Sequence, residues 1–139
     1  MGMNYRKALV AALLLITGVS GSVAAAGPVG VDPAAQAVAQ TYFDALQAGD
    51  RRALLGLFAG RERMRSEAQL SDPDYSRFLV DRYRNARLEV TGGGERSGVS
   101  YVDVTIWIND SEAVRERLIL KPSGEAGGAL SIVARKELD

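Results

Sequence analysis

The sequence predicts an α+β domain in which three N-terminal helices pack on a curved four-stranded antiparallel sheet. Three observations carry this reading. Apolar residues recur at three- and four-residue spacing as far as Ala86, the period changes to two from Leu88 onward, and Asp-Pro, Gly-Asp and glycine-rich punctuation cuts the chain into short elements. Helices followed by consecutive strands mean helices gathered on one face of a meander.

Asp32-Pro33 supplies an N-cap acceptor and a proline at the first helical position. Ala35, Val38, Ala39, Tyr42, Ala45 and Leu46 then form one apolar stripe, ending near Gly49, which suits a left-handed C-terminal cap. Asp50 caps a second, short helix holding Leu54, Leu55 and Phe58. Ala59 to Ser71 is charged and weakly patterned, and reads as a loop or an irregular turn of helix. Asp72-Pro73-Asp74 repeats the start signal before a third stripe of Tyr75, Phe78, Leu79, Tyr83 and Ala86.

Leu88 and Val90 then alternate with Arg87 and Glu89 until Gly92-Gly93-Gly94, which reads as a turn. The clearest strand is Val99 to Ile108, with Val102, Val104, Ile106 and Ile108 on one face and Tyr101, Asp103, Thr105 and Trp107 on the other. Asn109 to Glu112 is a hairpin connection, Val114 to Leu120 the next strand, Pro122 to Gly128 a turn, and Leu130 to Arg135 the last strand.

Met1 to Ala26 follows a different logic. Arg6 and Lys7 precede an unbroken apolar run from Ala8 to Ile16, then a Gly/Ser-rich stretch that ends in Ala24-Ala25-Ala26. That order is a secretory signal peptide cleaved after Ala26, and its apolar core falls well short of the ~20 residues of a spanning helix. The reading gives residues 1–26 to the signal, 27–32 to a flexible leader and 33–139 to a single domain. The domain is exported, periplasmic or secreted, with no stable membrane span after cleavage.

Composition narrows the function. Seventeen Lys and Arg balance seventeen Asp and Glu, which argues against a dedicated nucleic-acid binder. The chain has no His and no Cys, which excludes Ser-His-Asp and Cys-His catalysis, thiolate metal sites and His-bound zinc. No metal site, no cofactor and no catalytic residue are expected.

The run Tyr42-Phe43-Asp44-Ala45-Leu46-Gln47-Ala48-Gly49-Asp50, continued by Leu54, Leu57 and Phe58, resembles the opening of the nuclear transport factor 2-like superfamily, which includes ketosteroid isomerases and polyketide cyclases. The resemblance implies a cone-like fold over nearly the whole exported domain and, in isomerase-like members, a helix tyrosine that donates to a developing oxyanion, the place Tyr42 takes. It also implies a carboxylate base soon after the second helix and a second acid on a later strand. Ala59 to Arg65 lacks the expected strand pattern, Asp72-Pro73 is explained as a cap, and Asp103 alternates away from the helices.

Two residue sets follow. Tyr42, Phe58, Phe78 and Val104 would line a cavity for a small apolar ligand. Tyr101, Trp107, Arg117 and Ile119, with Thr105, Arg115, Val133 and Arg135 on the same outer face, have the aromatic and Arg-rich composition of an interface, through which a homodimer or another protein would be held. The expected function is a non-enzymatic binding or accessory module. The alternatives are an isomerase- or cyclase-type enzyme using Tyr42 with an unplaced carboxylate, and a structural component of the envelope.

Overall fold

The structure is a computed structural model that describes residues 30–123 and 129–139, so the signal peptide, half of the leader and most of the Pro122 to Gly128 turn expected from the sequence lie outside the described residues. Four helices, α1 Pro33–Ala48, α2 Arg51–Leu57, α3 Gly60–Leu70 and α4 Asp74–Tyr83, precede four strands, β1 Arg87–Arg96, β2 Val99–Trp107, β3 Ala113–Pro122 and β4 Leu130–Glu137. The strands form an open antiparallel meander in the order β1-β2-β3-β4. The fold is α+β, and among the described residues no helix is long and apolar enough to cross a membrane.

The caps act as their chemistry requires. Asp32 accepts from the Ala34 amide at 3.1 Å and Asp50 from the Ala53 amide at 3.0 Å. Gly49 ends α1 at φ +64°, and a Cβ there would also lie 2.6 Å from the Ser76 carbonyl of α4. Glycine is therefore required twice at this position, once for the left-handed cap and once for the close crossing of two helices.

α3 corrects the expectation of a loop or irregular turn here in a three-helix domain. Its buried positions are Glu62, Ser66 and Leu70, spaced by four as one helical face requires. Two of the three are polar, so the stripe is present without an apolar signal.

Three further expectations change in the sheet. Gly92-Gly93-Gly94 is not a turn but part of β1, after a bulge at Thr91, and the chain reverses instead at Ser97 and Gly98, both with positive φ. Gly94 gives room to its cross-strand neighbour Tyr101, whose Oη would lie 3.1 Å from an added Cβ. A second bulge lets Leu120 pair with Ile132 while Ile119 pairs with Ala134, leaving Val133 as the extra residue. Simple alternation from the buried Ile132 would point Arg135 outward, and the bulge turns it inward, opposite Leu118. Thr105, expected to be exposed, is only 4% accessible, because it sits mid-sheet between Glu89 and Arg115.

The helices cover one face of the sheet. α1 packs against β1, β2 and β4, α3 against β4, and α4 against α1. Val102, Val104 and Ile106 of β2, Leu118 and Leu120 of β3 and Ile132 of β4 meet Tyr42, Leu46, Leu54 and Phe58 in a single core. Phe58 also bridges to Ile132 in parallel, and the Ala59 amide donates to the Ile132 carbonyl at 3.0 Å, fastening the α2–α3 junction to β4.

Candidate functional site

The inner face of the sheet carries a charged cluster inside the apolar core. α1 brings Tyr42, α3 brings Glu62 and Ser66, β3 brings Glu116, and the bulged β4 brings Arg135. Tyr42 Oη donates to Glu116 Oε1 at 2.9 Å and accepts from Arg135 Nη1 at 3.1 Å. Arg135 Nε donates to Glu62 Oε2 at 2.7 Å, and the Ser66 hydroxyl donates to the same oxygen at 3.3 Å. The guanidinium lies 4.7 Å from the centre of the Phe58 ring, a cation–π contact with water removed from one side.

Burial sets the protonation behaviour of this group. It pushes the Tyr42 hydroxyl well above its ordinary value, and the neighbouring Glu116 charge pushes it further. Burial also raises the Glu116 carboxyl, against the hydrogen bond from Tyr42 and the charge of Arg135, which favour its ionised form. For Arg135 burial acts downward, but Tyr42 and Glu62 outweigh it and hold the guanidinium firmly charged. Glu62 Oε1 is buried without a hydrogen-bond partner, and Arg65 Nη2 stands 3.8 Å away.

This arrangement ties α3 to β4 through Glu62 and Arg135. The single hydroxyl proton of Tyr42 is committed to Glu116 and one lone pair to Arg135, so donation to a substrate oxyanion would break the cluster first. The cavity beside it, lined by Phe58, Ser66, Tyr75 and Arg135 among others, leaves about 10 Å³, room for at most one water. A concavity of about 510 Å³ is a groove by Asp50, Arg51 and Arg52, but Arg51 is tied to Ser76 Oγ at 2.8 Å and to the Leu70 carbonyl at 2.9 Å. Its polar groups hold helices together. Among the described residues no three acidic side chains converge as a metal site would need.

The first expected residue set is thus split. Tyr42, Phe58 and Val104 are buried together, around packed side chains rather than around a ligand-sized space. Phe78 is not with them. It is 52% exposed on α4, stacked on Tyr75 at 5.4 Å, because the stripe of that helix is completed by Leu79. Glu62, Glu116 and Arg135 were missed as partners of Tyr42. The available signal was Glu116 itself, a carboxylate in phase with Val114, Leu118 and Leu120 on an otherwise apolar strand face.

The second set does share a surface. Tyr101, Trp107, Arg117 and Ile119 lie on the outer face, all half-buried. Arg117 grips Asp103 through two hydrogen bonds of 2.7 and 2.9 Å and lies 4.1 Å above the Tyr101 ring. Those bonds to Asp103 hold its guanidinium above the ordinary arginine value. Trp107 donates to Glu89 at 3.1 Å and lies under Arg87 at 5.4 Å. Arg135, expected on this face, is absent from it for the reason given above. Compared with family models, curated proteins and solved structures, the chain matches none.

Proposed function

We propose that the chain is an exported, non-enzymatic accessory module of the nuclear transport factor 2-like type, which engages a protein through the outer face of its sheet. The observation that carries this reading is the contrast between a filled interior and an outer face on which Tyr101, Trp107 and Ile119 stay half-exposed beside Arg117. A small apolar ligand would need a cavity of hundreds of cubic ångströms, against about 10 Å³ in the core beside Phe58 and Arg135. The order of the elements, helices first and an antiparallel meander after them, is in keeping with the superfamily resemblance.

The isomerase- or cyclase-type alternative gains its missing carboxylate in Glu116, 2.9 Å from Tyr42, but gains no space for a substrate. Replacing Ile119 by a photoreactive amino acid in the producing cell and irradiating tests the main reading, with the exposed Met64 of α3 as control site. Protein crosslinks from position 119 and none from position 64 are expected. No protein crosslink from 119 or from 107 sinks the reading. Export is checked by sequencing the N-terminus of the protein outside the cytoplasm, which should begin at Gly27.

A further inference from the structure

The outer face of the sheet is charged as well as aromatic. By register it carries Arg87, Arg96, Arg115, Arg117, Lys121 and Lys136 against two carboxylates, Glu89 and Asp103. The whole chain is balanced at seventeen to seventeen, so the rest of it holds acid in excess. Within the face, Arg117 and Lys136 stand directly opposite each other on β3 and β4, and Arg115 lies two residues along on the same side. Like charges opposite each other in a sheet are destabilising. Asp103 answers only Arg117, and Glu89 takes the Trp107 N–H, so among the described residues Arg115, Lys121 and Lys136 have no ion-pair partner.

Resting on the sheet-face reading above, we propose that the partner presents an acidic surface and is a different protein, not a second copy of this chain. Two sheet faces of this composition brought together would oppose cation to cation, whereas carboxylates from another chain would relieve the Arg117–Lys136 conflict and complete the row. The aromatic geometry separates a protein from other anions. Base stacking needs an open ring face, and Arg117 lies over one face of Tyr101 and Arg87 over one face of Trp107. Insertion into a bilayer needs projecting rings, and Tyr101 instead lies along Gly94 while the Trp107 N–H is bound to Glu89. What remains is a face with apolar and cationic rows side by side, Tyr101–Ile119–Ala134 next to Asp103–Arg117–Lys136, which fits a polypeptide surface carrying Asp or Glu beside apolar side chains.

The test uses the full chain with the photoreactive residue at position 119, with and without Arg115→Glu together with Lys136→Glu, and identifies the crosslinked peptide by mass spectrometry. The expected result is a segment of another protein rich in Asp and Glu, with the yield falling about tenfold or more on charge reversal. If the reversed variant unfolds, Arg115→Gln with Lys136→Gln removes the charge at two exposed positions and is expected to lower the yield severalfold. A crosslink to a second copy, to lipid, to nucleic acid or to a peptide poor in carboxylates overturns the proposal, as does a yield that a folded, charge-altered variant leaves unchanged. A crosslink to a second copy or to a carboxylate-poor peptide, or an unchanged yield, leaves the sheet-face reading standing, whereas crosslinks to lipid or nucleic acid alone, like the absence of any protein crosslink, remove both.

Discussion

Two arginine–carboxylate pairs on opposite faces of the sheet, one within it and one joining it to α3, share a closest approach of 2.7 Å and differ in almost everything else. Arg117–Asp103 lies on the outer face, with water reaching both partners. Arg135–Glu62 lies on the inner face, and its carboxylate is 1% accessible. Geometry alone would rank them equal, and the outer pair even has the better bidentate grip. Burial decides otherwise. An exposed pair is screened and worth ~0–1 kcal/mol, whereas removing one partner of a buried pair leaves a charge that the core cannot solvate.

The largest expected effect is therefore at Arg135. Arg135→Ala strips Glu62 of its hydrogen-bonded cation and takes a donor from Tyr42, and should cost about 3–5 kcal/mol in denaturant unfolding. A loss below about 1 kcal/mol would mean that water reaches Glu62 and that the two faces do not differ as described. Replacing both partners, Glu62→Leu with Arg135→Met, should recover most of that loss, because well-packed apolar side chains substitute for a buried pair without its desolvation cost.

Glu116→Gln sharpens the comparison through pH. A carboxyl whose value is raised in the folded state keeps its proton there after the unfolded chain has released it. The stability it contributes therefore falls as pH rises from the ordinary carboxylate range through the raised value, and stays low above it. The Gln variant should match the wild type near pH 4 and equal or exceed it at pH 7 and above, in parallel melts. A wild type that gains on the variant as pH rises would reverse the sign. The smallest effect belongs to the outer face. Arg117→Ala should lower stability by about 1 kcal/mol or less, and that small loss should shrink in high salt.

The elements that could be read from the sequence were those where local chemistry and burial agree. Asp32, Gly49 and Asp50 cap as expected, and the alternation of β2 identifies its buried side, since Val102, Val104 and Ile106 are all fully enclosed. The outer-face residues follow from the same alternation. α3 was hidden because its inward positions are Glu62 and Ser66 before Leu70, so a search for apolar spacing passes over a segment whose Arg, Glu, Met, Ala and Gln all favour helix. Arg135 was misassigned because one extra residue at Val133 inverts the phase of the strand beyond it, and nothing local in Ile132-Val133-Ala134 marks a bulge. The charged cluster depends on both features at once, which is why Tyr42 was singled out without its partners.

Distance along the chain gives the cluster a role in time. The hydrogen bonds Tyr42–Glu116, Glu62–Arg135 and Tyr42–Arg135 join residues 73 to 93 positions apart, from α1 and α3 to β3 and β4. Contacts that span most of the chain carry the largest loop-closure cost, so they are expected to form after the meander and the helix caps. Interactions absent from the folding transition state act on escape from the native state rather than on arrival. Arg135→Ala should therefore speed unfolding far more than it slows refolding in a stopped-flow chevron. The buried charges then act as a clasp closed last, setting how long a folded molecule lasts rather than how fast it is made.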